Sequence, residues 1–363
     1  MSIIHQIGLT LIPGVGQVIA RNLLMHFGSA EAIFKAKNKD LLAVNGVGTI
    51  TANQITGSNV LTKAEEELKF IEKHQVEVLF FTEDNYPRRL RECNDAPVLL
   101  YYKGTANLNH PKIISVVGTR MATDYGRQLC AALAESLKSY DVLLVSGLAY
   151  GIDITAHKES LKNNIPTIGV LGHGLDRIYP YHHQQIARDM LLNGGLLTEF
   201  PLKTMPDREN FPKRNRIIAG MADATIVVEA TVKGGALITA DLANSYNRDV
   251  FAFPGRVKDE FSQGCNFLIK TNRAALINHP LDLAYYMGWD EINPKEKAIQ
   301  TQLPLGLSHE EIKIVEVLKV APSMVDEISS RTCIPQSKLA IHLLNLEMQG
   351  ILRGLPGKMY QLN

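Results

Sequence analysis

Between residues 112 and 277 the chain repeats one pattern: an apolar run of strand length, a turn of small residues, then a helical stretch. The runs are Ile113–Val117, Val142–Val145, Thr167–Leu171, Leu196–Phe200, Thr225–Val228 and Val250–Phe253. A strand with one wet face alternates apolar and polar residues, whereas these runs are apolar almost throughout. They need cover on both faces, and the intervening helices supply it, so the pattern predicts a parallel α/β sheet. Two further runs, Val76–Phe81 and Val98–Tyr102, lie ahead of this core and also read as strands.

The flanks differ from the core. Residues 1–64 read as short helices built around two glycine-paired units, Leu11-Ile12-Pro13-Gly14-Val15-Gly16 and Leu41-Leu42-Ala43-Val44-Asn45-Gly46-Val47-Gly48. Such repetition suggests a duplicated helical hairpin. A glycine hairpin between helices can offer backbone N–H groups to DNA phosphates, or it can serve only in packing. The residues leave both open. The segment 290–307 is polar, contains Asn293-Pro294 and Leu303-Pro304, and reads as a linker. Residues 308–363 hold three helical stretches, starting near Ser308, Met324 and Pro335. A ribbon with a turn at Pro356-Gly357 completes the outline of a small winged helix. The long middle segment, 65–289, is therefore one domain between two smaller ones.

Charge and cysteine usage narrow the function classes. Lys+Arg at 38 against Asp+Glu at 37 excludes a globally basic protein but leaves room for local basic patches. Cys93, Cys130, Cys265 and Cys333 are scattered singly, which argues against a disulfide framework or a zinc site and fits a reducing cytoplasm. No apolar run is long enough for a spanning helix, and the first residues lack a signal-peptide layout. There is no phosphate-binding P-loop signature. His173, His182 and His183 lack partners at metal-ligand spacing and read as surface or loop histidines.

In open parallel sheets, ligands bind beyond the carboxyl ends of the strands. Four strand ends here lead into glycine-bearing turns: Gly118-Thr119-Arg120, Ser146-Gly147, Gly172-His173-Gly174, and Thr231-Val232-Lys233-Gly234-Gly235. Glycine lets backbone N–H groups approach an anion, and the next helix N-terminus adds its partial positive charge. Arg120 adds a planar fork that matches phosphate geometry. The stretch Phe211-Pro212-Lys213-Arg214-Asn215-Arg216 combines an aromatic, cations and an amide, a mixture suited to single-stranded nucleic acid. Lys213, Arg214 and Arg216 are expected to form one electrostatic surface with Arg120. Asp153, Asp176, Glu199 and Glu229 stand at strand ends, where carboxylates serve as caps and arginine partners more often than as catalysts.

At these motifs the chain resembles the DprA/Smf family, the DNA-processing proteins of natural transformation. The matching segments include Val117-Gly118-Thr119-Arg120, Ser146 to Asp153, Gly172 to Pro180, Thr198-Glu199-Phe200-Pro201, Phe211 to Gly220, Gly234 to Ala240 and Phe251 to Gly255. The resemblance implies an extended Rossmann-like domain, an N-terminal helix-hairpin-helix (SAM-like) domain and a C-terminal winged helix. It further implies sequence-independent binding and protection of single-stranded DNA, loading of the RecA recombinase and homodimerisation through the Rossmann-like domain. No cofactor, metal or catalytic residue is implied. The family's arginine maps onto Arg120 and its Pro-x-Arg-Asn-Arg segment onto Lys213 to Arg216; with the strand-end turns, the expected DNA-binding set is Gly118, Thr119, Arg120, Ser146, Gly147, Gly172, Gly174, Lys213, Arg214, Asn215, Arg216, Gly234 and Gly235. Two departures stand out: Tyr181-His182-His183 where members often carry a Lys and an Asn, and Gly234 where members often carry Ser.

The rival reading is an enzyme, because nucleotide phosphoribohydrolases resemble this sheet and its Gly-Thr/Ser-Arg turn. Their Pro-Gly-Gly-x-Gly-Thr-x-x-Glu motif is broken here, with Ala236-Leu237-Ile238 after the glycines and Asp241 at the place of the Glu. For the winged helix, the stretch Gln336–Gln349 carries more apolar residues than one buried stripe needs, which suggests a partner-contacting module more than a sequence reader.

Overall fold

In the computed structural model, which describes residues 2–289, 307–355 and 359–362, the central feature is a nine-stranded sheet. Its strands are β1 (Glu77–Phe80), β2 (Leu99–Gly104), β3 (Ile113–Val117), β4 (Leu143–Ser146), β5 (Thr167–Val170), β6 (Gly194–Thr198), β7 (Ala224–Val227), β8 (Asp249–Ala252) and β9 (Ala275–Leu276). They lie in the order β1-β2-β6-β5-β4-β3-β7-β8-β9. From β6 to β9 all neighbours are parallel, while β2 runs antiparallel to both β6 and β1.

Period-two alternation divides the strand residues between two cores. Ile113, Val117, Leu143, Val145 and Val227 join one cluster with Ile217, Ile218, Leu237 and Ala240. Ile114, Val116, Leu144, Ile226 and Val228 join the other with Leu133, Leu137 and Ile152. Both faces of the central strands are thus dry, as the unbroken apolar runs require. The N-terminal helices form a third cluster, Ile7, Leu9, Leu23, Ile33 and Leu41 among them, which continues onto Phe80, Val98 and Leu99 of the antiparallel edge.

The chain divides into two compact units, Met1–Asp290 and Glu291–Asn363. In the first, the helix Val60–His74 runs straight through residue 64, so the expected boundary there falls inside a single helix. The second unit has helices His309–Val320, Val325–Thr332 and Gln336–Met348 and a small sheet of β10 (Ser323–Met324), β11 (Leu352–Leu355) and β12 (Met359–Leu362). Ser308 caps the first helix in a capping box with Glu311. This is the winged-helix outline. The expected linker falls mostly, at 290–306, outside the described residues, as does the expected Pro356-Gly357 turn.

Candidate nucleic-acid interface

After β3 the chain crosses to β4, β5 and β6 on one side, then returns to place β7 on the other. The crevice between the carboxyl ends of β3 and β7 is therefore the topological switch point, where two loops diverge and leave room. The Thr119 N–H donates to the Glu229 carbonyl (2.7 Å) and the Val228 N–H to the Val117 carbonyl (3.1 Å), tying the two loops at their roots. Above them opens a cleft of about 690 Å³. Gly118, Thr119 and Arg120 form one wall; Thr231, Lys233, Gly234 and Gly235 form another; and Phe211, Arg214 and Asn215 of the helix Asn210–Met221 close the third.

Arg120 is fixed by its neighbours. The Ile152 N–H donates to the Thr119 carbonyl (3.1 Å), and Gly151, at φ +77°, lies so close to Thr119 and Arg120 that a side chain would overlap their backbone. The Arg120 guanidinium sits over the Phe211 ring at 5.1 Å, and that of Arg214 lies 5.8 Å from the same ring. Two cations thus share one aromatic at the mouth of the cleft, a surface on which a base can stack.

Arg214 is the unusual member, being only 3% exposed. Its nearest carboxylate oxygen, on Asp153, is 3.9 Å away, and its Nε and Nη1 have no hydrogen-bond partner among the described residues. Burial pulls its pKa down to about 10, against the attraction of Asp153. Burial likewise raises the Asp153 carboxyl above its usual range, against the pull of Arg214. The guanidinium occupies the space that a Cβ on Gly147 would need. Counting the charged groups that line the cleft, Arg120, Arg208, Arg214 and Lys233 face Asp153 alone. Burying unbalanced charge is costly, so the arrangement is built for an anion.

The expected residues separate into two groups. Gly118, Thr119, Arg120, Arg214, Asn215, Gly234 and Gly235 line the cleft; Gly147 and Gly172 line a smaller recess beside it, with Tyr150 and Tyr179. Arg216 lies elsewhere: it forms an ion pair with Glu199 and donates to the Asp95 carbonyl. Lys213 is exposed and outside the cleft lining. Ser146 is buried, its hydroxyl donating to the Val116 carbonyl (2.6 Å), and Gly174 packs against Asp176 and the Pro201 carbonyl. Helical phase explains the division. Residues two apart on a helix point about 200° apart, so Arg214 and Arg216 face opposite ways, while Phe211, Arg214 and Asn215 share a face. That phase was available from the sequence. Lys233 and Arg208 join the cleft although neither belongs to the sequence-derived set.

The strand-end carboxylates are engaged. Glu229 accepts from the Thr123 N–H (3.0 Å) and hydroxyl, Asp176 pairs with Arg177, and Glu199 binds Arg216 and the Gln17 amide (3.2 Å). Gln17 comes directly after the first glycine hairpin and also accepts from the Val98 N–H (2.8 Å), so that hairpin seats on the sheet domain. His173 and His183 are buried, not on the surface, each with Nδ1 against a backbone carbonyl, while His182 is exposed. Among the described residues no cluster of His, Cys, Asp or Glu could hold a metal ion.

A doubly covered parallel sheet with a cationic cleft at its switch point, preceded in the sequence by a helical hairpin module and followed by a winged helix, defines a class of multidomain Rossmann-like proteins. Comparison identifies which one. The family model for DNA recombination-mediator protein A matches residues 77–288, flanked by matches to the helix-hairpin-helix motif over 7–57 and the DprA winged helix domain over 298–358. The chain belongs to the DprA/Smf family. It is 34% identical to Protein Smf of Synechocystis over 96% of both chains, and 34% identical to Protein Smf of Escherichia coli over 81% of this chain and 79% of that one. Among solved structures it is similar to DNA processing protein A of Streptococcus pneumoniae, with a TM-score of 0.66 and 31% identity over 78% of this chain and 98% of that one. A second, with a TM-score of 0.54 and 29% identity over 60% of this chain and 97% of that one, is DNA processing protein A of Helicobacter pylori, whose structure is described as revealing a single-stranded DNA binding mode.

Proposed function

We propose that this chain binds single-stranded DNA without sequence preference in the cleft between the β3 and β7 loops and hands it to a RecA-type recombinase. The observation that carries the DNA reading is the buried, hydrogen-bond-poor Arg214 guanidinium beside Phe211 and Arg120, in a cleft with four cations and one carboxylate. Phosphates supply the missing anions and unstacked bases match the aromatic face, whereas a paired duplex cannot offer its base faces. The Helicobacter pylori relative's single-stranded DNA binding mode supports the same assignment. The recombinase step and a role in transformation rest on family membership.

The binding set is Gly118, Thr119, Arg120, Gly147, Gly172, Arg214, Asn215, Gly234 and Gly235, with exposed Lys213 beside it. Ser146, Gly174 and Arg216 shape this set from behind. We read the protein as non-catalytic, acting in the cytoplasm. Asp241, at the place of the phosphoribohydrolase Glu, pairs instead with Arg273 at 3.3 Å. Dimerisation through the Rossmann-like domain fits the edge of the sheet, where Leu276 of β9 is exposed, as is Phe267 of the preceding helix Glu260–Lys270.

The test is binding to labelled single- and double-stranded oligonucleotides of equal length, alongside incubation with nucleoside monophosphates. Preference for the single strand without release of free base is expected. Equal affinity for duplex, or liberated base, would overturn the reading.

A further inference from the structure

The N-terminal hairpin module reaches the sheet through one face of one helix. Gln17 and Arg21 lie a turn apart on the helix Gln17–Phe27, so their side chains leave it in the same direction. Gln17 accepts from the Val98 N–H (2.8 Å) and donates to the Glu199 carboxylate (3.2 Å). Arg21 donates to the Cys93 carbonyl (3.2 Å), with its guanidinium 5.6 Å from the Phe81 ring. Both residues thus grip the segment 93–98, which leads into β2.

The two helices that wall the cleft hold the same segment from the other side. Arg216, turned away from the cleft on the helix Asn210–Met221, donates to the Asp95 carbonyl and to the same Glu199 oxygen that Gln17 reaches. Tyr246, directly after the helix Gly235–Ser245, donates its hydroxyl to the Asp95 carboxylate (2.6 Å). Gly220 packs so tightly that a side chain there would meet Cys93 Sγ and the Leu90 side chain, each at 2.8 Å. The Glu199 and Arg216 side chains are only 7% and 11% exposed, and breaking a buried ion pair is costly, so the linkage keeps its geometry. It ends at the helix whose other face carries Phe211 into the cleft. Resting on the single-stranded DNA reading, we propose that Gln17 is a positioning residue for the DNA site. Gln17 fixes Glu199, Glu199 fixes Arg216, and Arg216 sets the rotation of the helix Asn210–Met221. The hairpin module then supports binding without touching the strand.

The experiment compares the full-length parent with Gln17→Met, which keeps the length of the side chain but makes neither hydrogen bond. Gln17→Asn, a methylene too short to reach both partners, is the second variant should the first not fold. Affinity is read by anisotropy of a labelled single-stranded oligonucleotide, and the free protein is followed by hydrogen exchange with mass spectrometry. Affinity should fall about fivefold, the scale of one lost hydrogen bond. Amides of the helix Asn210–Met221 should exchange faster, while those of the helix Asp124–Leu137, packed on the other face of the sheet, keep their protection. In a Phe211→Ala background the loss from Gln17→Met should shrink to below about twofold, because the group it places is gone. An undiminished loss in that background would show the module contacting the strand itself and overturn the positioning role; so would unchanged affinity or unchanged exchange in a folded variant. Should the parent bind no oligonucleotide, the DNA reading falls, and the exchange rates alone decide whether Gln17 holds the helix.

Discussion

Arg214 shows how one buried charge ties packing to function. Asp153 offsets part of its desolvation, but 3.9 Å is too long for a hydrogen bond, so Nε and Nη1 stay unpaired within the buried guanidinium among the described residues. Arg214→Gln should weaken single-stranded DNA binding by about 1.5–3 kcal/mol, the range for a charged hydrogen bond. Oligonucleotide anisotropy with a circular dichroism control checks it; full affinity in a folded variant rules the role out. Gly147→Ala is a subtler probe. The new methyl meets the far end of the Arg214 side chain, which can move, so the fold should survive while the guanidinium is displaced. A loss of affinity comparable to that of Arg214→Gln, with a melting temperature within a few degrees of the parent, is expected. Arg120 was legible in the sequence because a Gly-Thr-Arg turn after a strand has few other uses. Arg214 was legible as a cation, but its burial depends on Gly147 and Asp153, residues distant in sequence that only the folded sheet brings beneath it.

At the scale of elements, the strands were readable because burial on both faces leaves a continuous apolar signature. The exceptions have local causes. The β6 strand starts at Gly194-Gly195, which carry no apolar side chain to announce it, and β9 and β10 span two residues each, too few for any period. The helix Val60–His74 was legible as a helix, but its task was not. Its Glu67 is buried and accepts from the Leu202 N–H at 2.8 Å, while Glu66 reaches Lys203 at 3.1 Å. The helix therefore anchors the loop leading into the cleft-lining helix Asn210–Met221. Burial raises the Glu67 pKa to about 7, against the Leu202 hydrogen bond, which lowers it. A carboxyl whose folded pKa exceeds its unfolded value stabilises the fold when protonated, and that contribution is lost as pH rises from about 4.5 through about 7. Glu67→Gln keeps an acceptor for Leu202 and cannot ionise. Thermal melts from pH 5 to 8 should show parent and variant converging at the acid end and the variant pulling ahead by a few degrees at the alkaline end. A constant gap would show that Glu67 does not titrate in this window.

For the whole molecule, the two units carry separate assignments. In the C-terminal one, Leu339, Leu343 and Leu346 of the helix Gln336–Met348 are buried, while Ile341, Leu344 and Met348 on the same helix are exposed. That surplus of apolar surface was visible as a count in the sequence, and the structure shows which residues make it. A helix so faced suits protein contact better than reading base edges, which needs donors and cations. Deleting residues 300–363 should leave most single-stranded DNA affinity in place; a large loss in a folded truncation of unchanged oligomeric state would assign DNA contacts to this unit. The central claim concerns the cleft of the first unit, and the measurement that tests it most directly is the dependence of single-stranded DNA affinity on salt for the parent and for Arg120→Ala. Each phosphate contact contributes about 0.7 to the slope of log K against log salt for single strands. The variant should bind more weakly with a slope lower by about 0.7. An unchanged affinity and slope in a folded Arg120→Ala protein would contradict the placement of the strand in this cleft.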